Sequence, residues 1–92
     1  MKVLAVCGMG LGTGLILKMQ AEKVFDKLGV DAYVEVADIG SARAMALTAE
    51  MVITSSELAE QLGDVKAKVV TIRNFIDLDE MTSKVKAALE EM

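Results

Sequence analysis

Residues Val3–Val6 read VLAV, a run without a charged or polar side chain. A strand that is apolar at every position has no face to offer to water. It must lie inside a sheet that is covered on both sides. For a chain of 92 residues that requirement is severe, because the covering layers must come from the same short sequence. Hydrophobic residues make up 53% of the chain, enough to supply them.

The remaining segments alternate in period. Thr13 to Leu28 has helical periodicity, with Leu17, Ala21, Val24 and Leu28 on one stripe, and Gly29 stands where a helix C-cap is expected. Val30 to Val36 alternates apolar and polar residues, the pattern of a strand near a sheet edge. Ile39 to Leu47 reads as a short helix opened by Asp38 or Ser41. Met51 to Thr54 is a third strand, and SSELAEQLG gives serine caps, a helical turn or two and a terminating Gly63. Lys68 to Ile72 is a fourth strand. Asp77 and Glu80 form a capping-box-like start to a last helix, with Leu78, Met81, Val85, Ala88 and Leu89 as its apolar face.

The order is therefore β-α-β-α-β-α-β-α, without internal repeat or linker, and residues 1–92 are expected to form one domain. Such alternation with right-handed crossovers implies an α/β fold, a four-stranded parallel sheet with helices on both faces. By analogy with flavodoxin-like sheets its order should be 2-1-3-4, which puts the topological switch point between strands 1 and 3. Ligands of such sheets bind at the carboxyl ends of the strands near that point. The loop after Val6 is where chemistry is expected.

That loop, VCGMGLGTGL, carries the chain's only cysteine, Cys7, and glycines at 8, 10, 12 and 14. It fails the phosphate-loop pattern, since no lysine follows a glycine at the required spacing. It fails the dinucleotide pattern too, since Thr13 and Leu15 stand where a third glycine is needed. Alternating glycines let successive backbone N–H groups turn inward as an anion-binding nest, and the positive end of the following helix dipole points to the same place. A thiolate is stabilised there, and the same donors could hold a phosphoryl group on sulfur. Thr13 could add a hydroxyl. A cysteine closing a strand is often only a small hydrophobe. A purely structural turn, however, needs one or two glycines rather than four.

Other features narrow the chemistry. Net charge is −4, and no basic cluster is denser than Lys66 and Lys68, which argues against nucleic acid as partner. No apolar run approaches the roughly 20 residues of a membrane span, and the N-terminus lacks the pattern of a signal peptide. The cytosol is the expected setting. The chain has no histidine, so a Cys/His zinc site, a Cys-His catalytic pair and a phosphohistidine of its own are all excluded. No metal or other cofactor is implied. From Val3 to Leu17 there is no charged side chain.

The strand-cysteine-helix arrangement compares with low-molecular-weight protein tyrosine phosphatases. Those enzymes keep an arginine where this chain has Thr13, and an Asp-Pro acid, whereas this chain has no proline. A phosphocysteine could form here, but little in the sequence would speed its hydrolysis. Secondary candidates lie at the same end of the sheet. Thr54, Ser55 and Ser56 end the third strand and could donate to a phosphate or cap a helix. Asp38 reads as a cap at the same rim. Arg73, after the fourth strand, could meet a phosphate or a partner. Met9 and Leu11 are apolar candidates for protein contact.

VCGMGLGTG after a first strand, then a long helix, ADIG and VITSSELAEQL, resembles the enzyme IIB component of bacterial sugar phosphotransferase systems. The similarity is to the ascorbate and galactitol branch of the lactose/cellobiose-like superfamily, and it extends over essentially the whole chain. The resemblance implies a relay. A phosphohistidine on enzyme IIA would donate its phosphoryl group to Cys7, and the phosphocysteine would then phosphorylate a sugar held by the membrane enzyme IIC. Cys7 would be the nucleophile, and Gly8, Met9, Gly10, Leu11, Gly12 and Thr13 its cradle, mainly through backbone N–H groups. A stand-alone phosphatase or thiol reductase, and a phosphate-sensing regulatory module, are the alternatives.

Overall fold

The computed structural model describes residues 1–8 and 11–92, with Leu11, Gly12 and Thr13 described by backbone alone. Its elements run β1 (Lys2–Cys7), α1 (Leu11–Lys27), β2 (Tyr33–Asp38), α2 (Ile39–Met45), β3 (Met51–Thr54), α3 (Ser56–Leu62), β4 (Lys68–Thr71) and α4 (Leu78–Glu91). The strands form one parallel sheet in the order β2-β1-β3-β4. The expected fold class and strand order are both observed.

The apolar run behaves as its composition requires. Val3, Leu4, Ala5 and Val6 are fully buried. Their side chains alternate between two cores because successive residues of a strand face opposite ways. Val3 and Ala5 join Leu17, Ala21, Val24 and Phe25 of α1 and Met81, Val85 and Ala88 of α4. Leu4 and Val6 join Ala42 of α2, Ala46 and Leu62 of α3. Helices α1 and α4 thus cover one face, and α2 and α3 the other. At about 25 cal/mol per Å² of apolar area, each fully buried Leu or Val contributes roughly 1.5–3 kcal/mol against chain entropy.

Strand β2 begins later than the alternation predicts. The Gly29 N–H bonds to the Asp26 carbonyl and the Val30 N–H to the Phe25 carbonyl, with Gly29 at φ +70°. This paired closure of a helix end consumes the backbone of Val30, whose side chain packs onto the cluster holding Phe25. Val30 is apolar because it seals α1, not because it lies in the sheet. Two further ends are capped as the sequence implies: Asp38 accepts from the Ser41 N–H at 2.8 Å, and Ser55 from the Leu58 N–H at 3.3 Å. Helix α2 ends at Met45, short of Leu47, which is exposed.

The start of α4 departs from a capping box. Asp77 accepts from the Glu80 N–H, but the Glu80 carboxylate does not return to Asp77. It reaches into the preceding loop and accepts from the N–H groups of Arg73 at 2.8 Å and Asn74 at 3.0 Å. Lys84 joins it at 2.9 Å and also donates to the Thr71 carbonyl at the end of β4. Leu78, placed on the apolar face by periodicity, is exposed instead, while Met81, Val85 and Ala88 are buried.

The Arg73 N–H, followed by Lys84, holds the Glu80 carboxyl down from 4.5 to about 2. A carboxylate with a folded pKa below its unfolded value stabilises the fold fully above the unfolded value and loses that contribution as pH falls toward the folded one. The stability difference between the native chain and Glu80→Gln should therefore be constant from neutral pH down to about 5 and shrink between about 4.5 and 2. Urea midpoints measured across that range check it, and a pH-independent difference would remove Glu80 as the source.

Candidate functional site

Cys7 closes β1, opposite Asp38 of β2, and only 6% of its surface is exposed. What fixes it is the next helix. Gly14 is the fourth residue of α1, and a Cβ added there would stand 2.7 Å from Val36 Cγ1 and 2.9 Å from Cys7 Sγ. Neither distance is available to a real side chain. Glycine here lets the first turn of α1 rest directly on the thiol and on β2. The N–H groups of a first helical turn have no partner inside the helix, and the positive end of the helix dipole lies with them. The sulfur therefore adjoins a helix terminus whose field favours negative charge.

On the other side of β1 the sheet opens. Pairing of β1 with β2 continues to Cys7 and Asp38, whereas pairing with β3 stops at Ala5 and Ile53. Beyond that point the Thr54 hydroxyl donates to the Val6 carbonyl at 2.9 Å. A side chain replaces the ladder where the two strands part, at the switch point that the strand order creates. Thr54 is the buried polar side chain among the described residues. Its proton is committed to the strand end one residue before the thiol.

The other sequence candidates are distributed as follows. Gly8 follows Cys7, and a Cβ there would meet Leu58 of α3 at an ordinary 3.5 Å. Leu11, Gly12 and Thr13 open α1. Met9, Gly10 and the side chains of Leu11 and Thr13 lie outside the described residues. Ser55 is the N-cap of α3, and Ser56 is that helix's exposed first residue. Asp38 caps α2 at the rim beside Cys7. Arg73 follows β4, two strands from β1, with its N–H on Glu80 and its side chain exposed. Cys7, Gly8, Asp38 and the start of α1 are brought together. Arg73 belongs to a different part of the same sheet end.

The tight role of Gly14 is the part that sequence reasoning understated. In the sequence Gly14 counts among the glycines of the nest, whereas the structure gives it a helix-to-sheet contact. The clue was available, since a glycine late in a strand-loop-helix motif commonly serves close helix packing.

Comparison with known proteins supplies the family. The family model described as "PTS system, Lactose/Cellobiose specific IIB subunit" matches residues 2–88. The chain belongs to this family. It is thus a component of a phosphotransferase system (PTS). An ascorbate-specific PTS system EIIB component of Mycoplasma pneumoniae is 32% identical over 88 residues, covering 95% of this chain and 93% of that protein. Proteins of the same description from Salmonella typhimurium and Shigella flexneri are 26% identical over 91 residues and 29% identical over 76. They cover 98% and 82% of this chain, and the matches span 90% and 75% of those proteins. Among the described residues of this IIB chain, no helix is long and apolar enough to cross a membrane.

Two substitutions test the site's construction. Gly14→Ala gains helix propensity of about 1 kcal/mol but forces a methyl into stiff Val36 and the thiol, an overpacking cost of about 1–3 kcal/mol. A net loss of stability in urea is expected, together with a changed alkylation rate at Cys7. Thr54→Val removes the donor to the buried Val6 carbonyl and should cost about 1–3 kcal/mol. Thr54→Ser, which keeps the hydroxyl, should recover most of that hydrogen-bond contribution.

Proposed function

We propose that this IIB chain is a phosphoryl carrier of a sugar phosphotransferase system, working in the cytosol through a phosphocysteine at Cys7. The observation that carries the reading is the seating of the Cys7 sulfur on the first turn of α1, made possible by Gly14, in a chain whose family transfers phosphoryl groups.

In the first step the Cys7 sulfur attacks the phosphorus of a phosphohistidine on enzyme IIA. The S–P bond forms as the N–P bond breaks, the imidazole nitrogen keeps the bonding pair, and the thiol proton is released. In the second step a hydroxyl oxygen of a sugar held by enzyme IIC attacks the same phosphorus. The O–P bond forms, the S–P bond breaks, the hydroxyl proton is lost and the sulfur leaves as thiolate. Between the steps the phosphoryl oxygens would be met by backbone N–H groups of Gly8, Met9, Gly10, Leu11, Gly12 and Thr13, and by the α1 dipole. Ser55, Ser56 and Arg73 are secondary candidates for contact with the phosphoryl group or a partner. The relatives named ascorbate-specific favour ascorbate as the acceptor over a hexitol such as galactitol.

Supplying phosphoenolpyruvate, the general phosphotransferase proteins and the cognate enzyme IIA should add one phosphoryl group to Cys7. The Cys7→Ser variant should remain unlabelled, and intact mass spectrometry distinguishes the two. With enzyme IIC in vesicles, the label should pass to ascorbate. Label on any other residue, or steady hydrolysis of an aryl phosphate without partners, would overturn the carrier reading.

A further inference from the structure

The outer face of α1 is unexpectedly apolar near the thiol. Leu15 and Ile16 directly follow Gly14, and Met19 lies one turn on; their exposures are 54%, 46% and 54%. A solvated helix face of this kind normally carries charge. The patch continues across to the loop between β4 and α4. There Gln20 Nε2 donates to the Ile76 carbonyl at 3.3 Å, bringing Ile76, 67% exposed, beside α1. The loop is held by the Glu80 carboxylate on the Arg73 and Asn74 N–H groups and by Asn74 Oδ1 on the Ile76 N–H. Ile76 is therefore presented by a braced segment.

We infer that Leu15, Ile16, Met19 and Ile76 form a docking face for an apolar surface of the protein that donates the phosphoryl group. This rests on the carrier reading and extends it to the donor's contact surface. Three observations select that occupant. The chain contains no histidine, so a phosphohistidine must arrive on another protein. A histidine side chain is short and Cys7 is almost fully buried, so the donor's surface must close against the rim around the sulfur. Gly14, where a Cβ would stand 2.9 Å from that sulfur, is followed directly by the exposed Leu15 and Ile16. A second copy of this chain is a poorer occupant, because lasting self-association over this face would obstruct Cys7. Exposed apolar side chains grouped beside a reactive group mark a protein contact more readily than a solvated surface.

The test is the rate of Cys7 phosphorylation as a function of phosphorylated enzyme IIA concentration, with native chain, Leu15→Lys, Met19→Lys and Ile76→Lys. All three positions are exposed, and urea midpoints establish that each variant is folded. The half-saturating donor concentration should rise roughly tenfold in at least two of them, with the maximal rate largely kept. Leu47→Lys is the control, since Leu47 is 83% exposed and follows α2 on the opposite face of the sheet. Unphosphorylated enzyme IIA titrated against labelled chain should perturb the same residues. Unchanged half-saturation in all three variants, or an equal shift in Leu47→Lys, overturns the docking face while leaving the carrier reading intact. A native chain that dimerises through these residues, seen by sedimentation, overturns the donor as occupant. A native chain that takes no label at Cys7 overturns the carrier reading itself, and the docking inference with it.

Discussion

The contact between Gly14 and the Cys7 sulfur governs the layout of this end of the molecule. A side-chain atom at position 14 would collide with both Val36 and the thiol, so the axis of α1 can approach β1 and β2 only with glycine there. That approach fixes where the helix terminus lies. Hydrophobic burial then holds the helix in place through Leu17, Ala21, Val24 and Phe25. Burial is non-directional and could be satisfied by several helix positions. The glycine selects the one in which the field of the helix terminus falls on sulfur.

The opposite side of β1 shows a complementary economy. A parallel sheet with its order reversed at one pair of strands leaves a gap at their carboxyl ends, and every backbone group at the edge of that gap needs a partner. Thr54 meets this need by bonding its hydroxyl to the Val6 carbonyl. The gap can then exist without leaving that buried acceptor unmet. Asp38, Ser55 and Asp77 do similar work at the helices that follow β2, β3 and β4. Polar side chains around the sheet's carboxyl end are thus largely engaged in closing backbone. The segment after β1 has no such polar cap of its own before Thr13, only glycines and apolar residues.

Much of this was legible in the sequence because the relevant forces are local. VLAV announces a strand buried on both faces, and Gly29 and Gly63 mark helix ends at φ +70° and +74°. Val30 was misleading because an apolar residue sealing a helix and one facing a core have the same composition. Glu80 was misleading for a related reason. Spacing from Asp77 identifies a capping pair, but not that its carboxylate would find two N–H groups in the loop before it. Cys7 could be located as the candidate nucleophile from its loop alone. The steric role of Gly14 and the apolar patch reaching Ile76 depend on which helices become neighbours. Tertiary packing decides that, and no short motif encodes it.

A carrier and a hydrolase make opposite demands on such a loop. Rapid hydrolysis requires charge placed to stabilise the transition state, and an acid to protonate the leaving group. A carrier needs a phosphoryl group bound well enough to persist and weakly enough to leave. The stretch from Val3 to Leu17 has no charged side chain, and Arg73 stands two strands away with its N–H on Glu80. Backbone dipoles at a helix terminus favour an anion without singling out one geometry of attack, so they serve the arriving and departing group alike. In the proposed relay the remaining selectivity must then come from outside the loop. A nearly buried sulfur beside an exposed apolar face admits a nucleophile or a donor only as part of a surface that fits there. In that relay, the features that would make the loop a poor hydrolase are the ones that would hand control of the transfer to the partner proteins.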